Sequence, residues 1–516
     1  MYYFDRKALW HPHGQKVVAK GDMRAFISNY GTIEGDIKIL YSQALEKVLH
    51  STRMNRPLLV IHGYSDRGQS FVPLANALQK KGVKVEDINI ASWISLSNEV
   101  TVKDVGEALE RALRDPGLNG RLADREFDAI VHSTGMLVIR SWLAGNPSVR
   151  VPLLKHLIGL APATFGSPLA AQGRSVLGAI FKGNKDLGPD FLAAGDQILD
   201  ALELGSRFTW DLAEEDLLGK TIYYGFDNKT PYVFVFCGTK PYAGIRKLVD
   251  KPGTDGTVRW AGVALDTVKF TFDLRRGPGA PSGAARLVSN TGGRARLPIP
   301  FWPVKDRTHG SIVSETPDEV VDLIVRALGV NDAKSFDDWC GRATSATAGA
   351  LKELQDEGKV FQQFIVHARD QRGDPITDFH LDIEGLSNGK VCDAWGDDNL
   401  ELHAYSTDKS YRCYHVCLSN LNKAGADTLR IQIIASSGSE WVAYHGVGSE
   451  VLPDVNGPVK EDGKWDAVIN IPIVPKSGDP TVFAPFTTTL VEIILERDPL
   501  PLGNVTSDVL KWLPLS

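Results

Sequence analysis

At 516 residues the chain is long enough for a large core and a second domain, and with 43% hydrophobic and 23% charged residues it has an ordinary globular composition. Fibrous repeats and wholesale disorder are excluded on that balance. A net charge of −6 leaves no footprint for nucleic acid.

Asp5, Arg6 and Lys7 precede any apolar stretch, and the longest apolar runs, such as Pro57 to Ile61, are strand-sized. The expectation is a cytoplasmic chain with neither a Sec-type signal nor a membrane span; signal-less export leaves no mark in a sequence. Leu58 to Ile61 reads as a buried strand ending at His62-Gly63-Tyr64, and Leu74 and Leu78 one turn apart place a helix over 70–81, closed by Gly82. Val85 to Ile90 suits a second strand, Val102, Val105, Leu109 and Leu113 make 101–114 an amphipathic helix, and Phe127 to Val131 is the next strand. After a helix through Trp142 come strand candidates at His156 to Leu160 and Val233 to Phe236. Thr316 is read as the N-cap of a later helix, with Pro317 at its first position, Glu319 closing a capping box and Gly329 ending it. Such alternation of strands and helices is the pattern of βαβ units in a mostly parallel sheet.

Two segments interrupt that pattern. Residues 167–230, with Leu192, Leu199 and Leu202 at helical spacing, read as a helical cap, and residues 275–298, rich in Gly, Pro and Arg, as a mobile loop. Arg275, Arg276, Arg286, Arg294 and Arg296 are candidates for anionic lipid headgroups, the plainer reading being a solvated loop. Residues 1–330 thus form the α/β domain and 331–359 a connector containing a helix. From 360 to 516 the period becomes two, at Phe379, Leu381, Ile383, at Leu429, Ile431, Ile433, at Ile469, Ile471, Ile473 and at Val491, Ile493, Leu495, which argues an all-β sandwich. The five cysteines, Cys237, Cys340, Cys392, Cys413 and Cys417, are odd in number and scattered, as reduced thiols would be. On one strand Cys413 and Cys417 would lie about 13 Å apart and could not pair.

The sharpest chemical signal is His132-Ser133-Thr134-Gly135, between a strand and a helix. A serine at such a turn has its hydroxyl pushed above the sheet edge, while its backbone sits at a helix N-terminus with free N–H groups. Gly135 supplies the small residue that this turn needs, whereas Val131 stands where G-x-S-x-G has its first glycine. An oxyanion formed at Ser133 needs two backbone donors, assigned to Tyr64 and Thr134, with Ser65 as the alternate for the first. His62 reads as a turn histidine. The base is best supplied by His309, just before the helix that follows Thr316, and the carboxylate that orients it by Asp255 in Gly253-Thr254-Asp255-Gly256-Thr257-Val258. Asp250, Asp266 and Asp306 are the rivals to Asp255. His11-Pro12-His13 and Cys413-Tyr414-His415-Val416-Cys417 are read as surface or structural features and not as metal sites.

HGYS at 62–65, VHSTG at 131–135, GLAPATFGSPLA at 159–170, GTDGTV at 253–258 and the late His309 together resemble the α/β-hydrolase superfamily, nearest to bacterial lipase-like members. The resemblance covers roughly 50–330. It implies a sheet of the eight-stranded type, a serine acyl-enzyme, no metal or organic cofactor, and a helical lid. The expected function is a serine carboxylic-ester hydrolase of lipase or phospholipase type, taking a small-molecule or lipid ester, with peripheral membrane contact. Two alternatives stand beside it: acyl transfer on the same scaffold, and a non-catalytic binding protein with a degenerate turn at Val131. The β region binds lipid, carbohydrate or a partner, or simply packs.

Overall fold

Leu58–Ile61 offers four aliphatic side chains and no polar face, which suits a strand covered on both sides. In the computed structural model it is such a strand, β1, buried throughout. The structure describes residues 56–63, 69–83, 88–91, 97–115, 122–172, 195–225, 227, 229–241, 253–275, 286–289, 299–354, 360–392, 400–439, 441–446, 464–474 and 482–499. Contacts divide the chain into residues 1–56 and 57–516, and every described element belongs to the second unit.

Downstream come β2 (Ile88–Ala91), β3 (Phe127–His132), β4 (Leu154–Leu160), β5 (Tyr232–Gly238), β6 (Thr267–Asp273), β7 (Arg286–Ser289) and β8 (Phe301–Val304). Among the described residues a parallel sheet of six strands runs β2-β1-β3-β4-β5-β8. Parallel neighbours require crossovers, and helices supply them. Helix α1 (Val72–Lys80) starts with a proline in its first turn and buries Leu74 and Leu78. In α2 (Val102–Leu113) the Thr101 and Asp104 side chains and backbones form a reciprocal capping box, and Val102, Val105, Leu109 and Leu113 make the buried stripe. Helix α3 (Gly135–Gly145) is buried from Gly135 to Leu143.

Within the expected cap lie α4 (Asp196–Leu202) and α5 (Arg207–Asp216); residues 173–194 fall outside the described set. Helix α5 packs on α3, and Leu204, Trp210 and Ala213 share a core cluster with Ile365, Tyr411 and Leu490 further along the chain. Helix α6 (Asp318–Leu328) does not start as the sequence suggests. Its N-cap is Pro317, with no side-chain cap, and the Thr316 side chain is turned back along the chain, its hydroxyl donating to the Ile312 carbonyl at 2.7 Å. The 331–359 stretch holds α7 (Ala333–Leu354), which packs on β8.

Strands β9 (Phe361–Asp370), β10 (Phe379–Ser387), β11 (Lys390–Cys392), β12 (Leu400–Ala404), β13 (Tyr411–Cys417), β14 (Thr428–Ser436), β15 (Val442–His445), β16 (Lys464–Pro472) and β17 (Thr488–Pro499) follow. They form two sheets, β11-β10-β14-β16 and β12-β13-β9-β17-β6-β7, with β15 paired to β17. Leu381, Leu429, Ile433, Ile469 and Ile471 from the first meet Phe270, Phe272, Val366, Val491 and Ile493 from the second in one apolar core, which is a sandwich.

Two members of the larger sheet come from the hydrolase stretch. Strand β6 pairs in parallel with β17, and β7 pairs antiparallel with β6, so part of the 275–298 segment read as a loop is a strand. Arg275 pairs with Asp273, Arg286 opens β7, and Arg276, Arg294 and Arg296 lie outside the described residues. Cys413 and Cys417 share β13, and all five cysteines are free. No helix among the described residues is long and apolar enough to cross a membrane.

Candidate active site

Ser133 sits between the end of β3 and the start of α3 with φ +52°, in the left-handed region that a non-glycine residue rarely adopts. Its amide donates to the Leu160 carbonyl at 3.2 Å, and its carbonyl accepts from Met136 and Ala163. These bonds tie the strained residue to the ends of β4 and the loop after it. Gly135 is required by close approach: a Cβ there would lie 2.7 Å from the Ile61 carbonyl oxygen of β1.

Val131 is accommodated by a glycine elsewhere. It is buried in β3, in register between Ile61 of β1 and Gly159 of β4, so its side chain shares a sheet face with a residue that has none. A Cβ on Gly159 would come within 2.7 Å of the Met136 methyl. The room that lets the first turn of α3 settle on the sheet is thus on β4, 28 residues after Val131 in chain order.

Asp255 and His309, 54 residues apart, are brought together. His309 Nδ1 faces Asp255 Oδ2 at 2.8 Å, and the His309 amide donates to the Asp255 carbonyl at 3.1 Å. The other carboxylate oxygen accepts from the amides of Thr257 and Val258, each at 2.9 Å. Both side chains are fully buried. Cys237, at the end of β5, approaches Asp255 Oδ2 at 3.8 Å; burial, and then the Asp255 charge, push its thiol well above the ordinary cysteine range, so it stays a neutral S–H. Of the rivals, Asp306 is three residues from His309 with φ +58°, and Asp250 lies outside the described residues.

His132 links the two halves. Nothing in the sequence aims it at His309, yet its Nε2 is 2.9 Å from the His309 carbonyl oxygen and the two rings lie 4.8 Å apart. Since that partner is a carbonyl, His132 Nε2 is the donor. Ser133 is therefore joined by one peptide bond to a residue that holds the backbone of His309. Alternation along β3 places consecutive side chains on opposite faces, but it does not say what lies beyond the strand end.

At the end of β1, the His62 Nδ1 lies 2.6 Å from the Gly63 carbonyl, as a turn histidine would. A Cβ on Gly63 would stand 2.8 Å from Ser133 Cβ, which sets the start of the β1 loop against the serine. Tyr64 and Ser65 lie outside the described residues. Thr134 caps the N-terminus of α3 in a helical conformation and is fully buried.

Further along α3, Arg140 is fully buried and makes a two-pronged ion pair with Asp216 of α5 at 2.7 and 2.9 Å, with a third bond to the Thr164 carbonyl. Burial works against its charge, and the Asp216 charge and hydrogen bonds more than offset that, leaving the guanidinium above its ordinary range. Tyr224 donates to the same carboxylate at 2.7 Å, and burial, with Asp216 beside it, holds the phenol well above its ordinary range.

No family model and no curated protein matches the sequence. Among solved structures, the phospholipase PlaB from Legionella pneumophila in complex with thio-NAD matches with a TM-score of 0.68 and 21% identity, over 90% of this chain and 98% of that one. A second structure of that phospholipase gives 0.67 and 20% over the same shares. At such identity the likeness is one of fold, and it extends through the C-terminal strands as well as the parallel sheet. The chain has the α/β-hydrolase fold, with a β sandwich at its C-terminal end.

Proposed function

We propose that this chain is a serine carboxylic-ester hydrolase of lipase or phospholipase type, with Ser133 as nucleophile, His309 as general base and Asp255 as its orienting acid. The observation that carries the reading is the buried 2.8 Å contact between Asp255 and His309, held by His132 next to a serine with φ +52°. His309 takes the Ser133 proton as the hydroxyl oxygen attacks the ester carbonyl, while Nδ1–H donates to Asp255. Collapse of the intermediate expels the alcohol, which leaves with that proton. Water, deprotonated by the same imidazole, then attacks the acyl-enzyme and frees the acid. The Thr134 amide, with the dipole of α3 behind it, and the Tyr64 amide hold the oxyanion.

A lipid ester is the favoured substrate, since the fold matches a phospholipase along nearly its whole length. Contact with a membrane or micelle surface follows from that substrate. The test is fluorophosphonate labelling of wild type and Ser133→Ala, alongside hydrolysis of short- and long-chain p-nitrophenyl esters and of phospholipid vesicles. Label and activity should be present in wild type and absent from the variant, with long chains preferred. An unlabelled, inactive wild type would hand the function to the sandwich as a binding protein.

Gly63→Ala probes the same site without touching a reacting group. The added methyl must displace the Ser133 side chain or the His132 ring, whose Nδ1 would be 3.2 Å away. We expect kcat to fall on the order of 10-fold with the fold intact, because a shift of tenths of an ångström at a nucleophile is costly. Unchanged ester turnover would show that the β1 loop is not packed on the working serine.

A further inference from the structure

Among the described residues, the loop that carries Asp255 has one regular element, the 3-10 turn Trp260–Gly262. The loop closes on itself through the Trp260 amide and the Gly253 carbonyl at 2.8 Å and a bridge between Thr254 and Arg259. On one side the parallel-sheet part holds it: Thr164 Oγ1 donates to the Val263 carbonyl at 2.6 Å and Ser167 Oγ to the Thr257 carbonyl at 2.6 Å. On the other side stands the larger sheet of the sandwich.

Arg259, 3% exposed, reaches β12, where its guanidinium donates to Glu401 at 2.7 Å, and it touches the Cys413 sulfur of β13 at 3.7 Å. Thr488 Oγ1, at the start of β17, donates to the Ala261 carbonyl at 2.9 Å and accepts from Gln363 of β9. Phe361, the first residue of β9, lies against Gly253, whose φ is +76°; a Cβ there would be 2.8 Å from the ring.

We propose that the sandwich is part of the hydrolytic machinery: Glu401, through Arg259, and Thr488 are positioning residues that fix the Asp255 loop against His309. The inference rests on the roles given to Asp255 and His309 above. A short irregular loop cannot by itself hold a carboxylate to within tenths of an ångström, and strands of a hydrogen-bonded sheet can. The contacts fall on residues four and six positions after Asp255, so a slackened clamp moves the acid, not the nucleophile. Adhesion is already supplied elsewhere, by the cluster around Trp210 and by the His403–Glu203 pair, and does not need contacts on this loop.

The experiment compares Glu401→Gln, Arg259→Lys, Arg259→Met and Thr488→Val with wild type in the full chain, with Glu384→Gln as control. Glu384 makes an ion pair of the same kind with Arg430, in the other sheet. For each protein, kcat, KM, the rate of fluorophosphonate labelling and the melting temperature are measured. We expect Glu401→Gln and Thr488→Val to lower kcat and the labelling rate together, roughly 10-fold, with KM unchanged. Arg259→Lys, which keeps the charge, should retain more activity than Arg259→Met, and the control should match wild type. Lower melting temperatures with kcat intact would reduce the contacts to structural ones and overturn the proposal. Thr488→Val, an uncharged change, keeps the test open if a charge variant fails to fold. A wild type that takes no label sinks the serine-hydrolase reading itself; a labelled, active wild type beside variants of full kcat sinks only the positioning role.

Discussion

Asp255→Asn is expected to lower kcat by about four orders of magnitude, the size of effect known for an orienting carboxylate turned into its amide in a serine triad. The geometry here gives a specific reason. Asp255 Oδ1 accepts from two backbone amides, those of Thr257 and Val258, while Oδ2 faces His309 Nδ1. An asparagine must put its oxygen toward the two N–H donors, so its NH2 points at the imidazole. His309 Nδ1 is then forced to accept, the ring proton moves to Nε2, and the nitrogen meant to receive the serine proton already carries one. Folding should be little affected, since the two backbone bonds survive. Steady-state turnover of a p-nitrophenyl ester and the rate of phosphonylation both read this step. A variant within 10-fold of wild type would mean that another carboxylate, such as Asp266 or Asp306, orients the base.

The parallel sheet is legible in the sequence because its strands are buried on both faces and its helices carry a polar side: local composition alone marks β1, β3, β4, α1 and α2. Ser133 is legible at the end of such a strand, and Asp255 and His309 as residue types in the loops after β5 and β8. What local pattern cannot give is the partner. Strand β6 alternates Val268, Phe270 and Phe272 as regularly as any strand of the sandwich, and these face its core. Its chain position hides this, and Lys269, buried on the opposite face with Glu214 and Glu492, looks like an exposed charge in the sequence. Gly159 is the same kind of case. The missing glycine of the serine turn is only a gap when read along β3, and it is filled when β4 is laid beside it. The cap at Thr316 fails for a smaller reason: the side chain is turned back onto a carbonyl one turn earlier.

Arg140→Met should be the most damaging single change to stability, costing about 3–5 kcal/mol, the usual consequence of removing one partner of a buried ion pair. The wild-type guanidinium satisfies Asp216 through two nitrogens and Thr164 through a third, all out of contact with water. Methionine fills much of the volume and offers none of these donors, so the carboxylate keeps only the Tyr224 hydroxyl. Because Thr164 neighbours Ala163, whose amide binds the Ser133 carbonyl, loosening should also reach the serine turn. The urea midpoint of unfolding measures the stability loss. Arg140→Met/Asp216→Asn then separates two causes. If the orphaned charge is the damage, the double variant recovers most of the loss, since an amide is far cheaper to bury than a carboxylate. If instead the double variant is as weak as the single one, the lost contribution is the packing of the arginine, whose guanidinium carbon lies 5.9 Å from the Phe165 ring centre, and the charge pair is only its accompaniment.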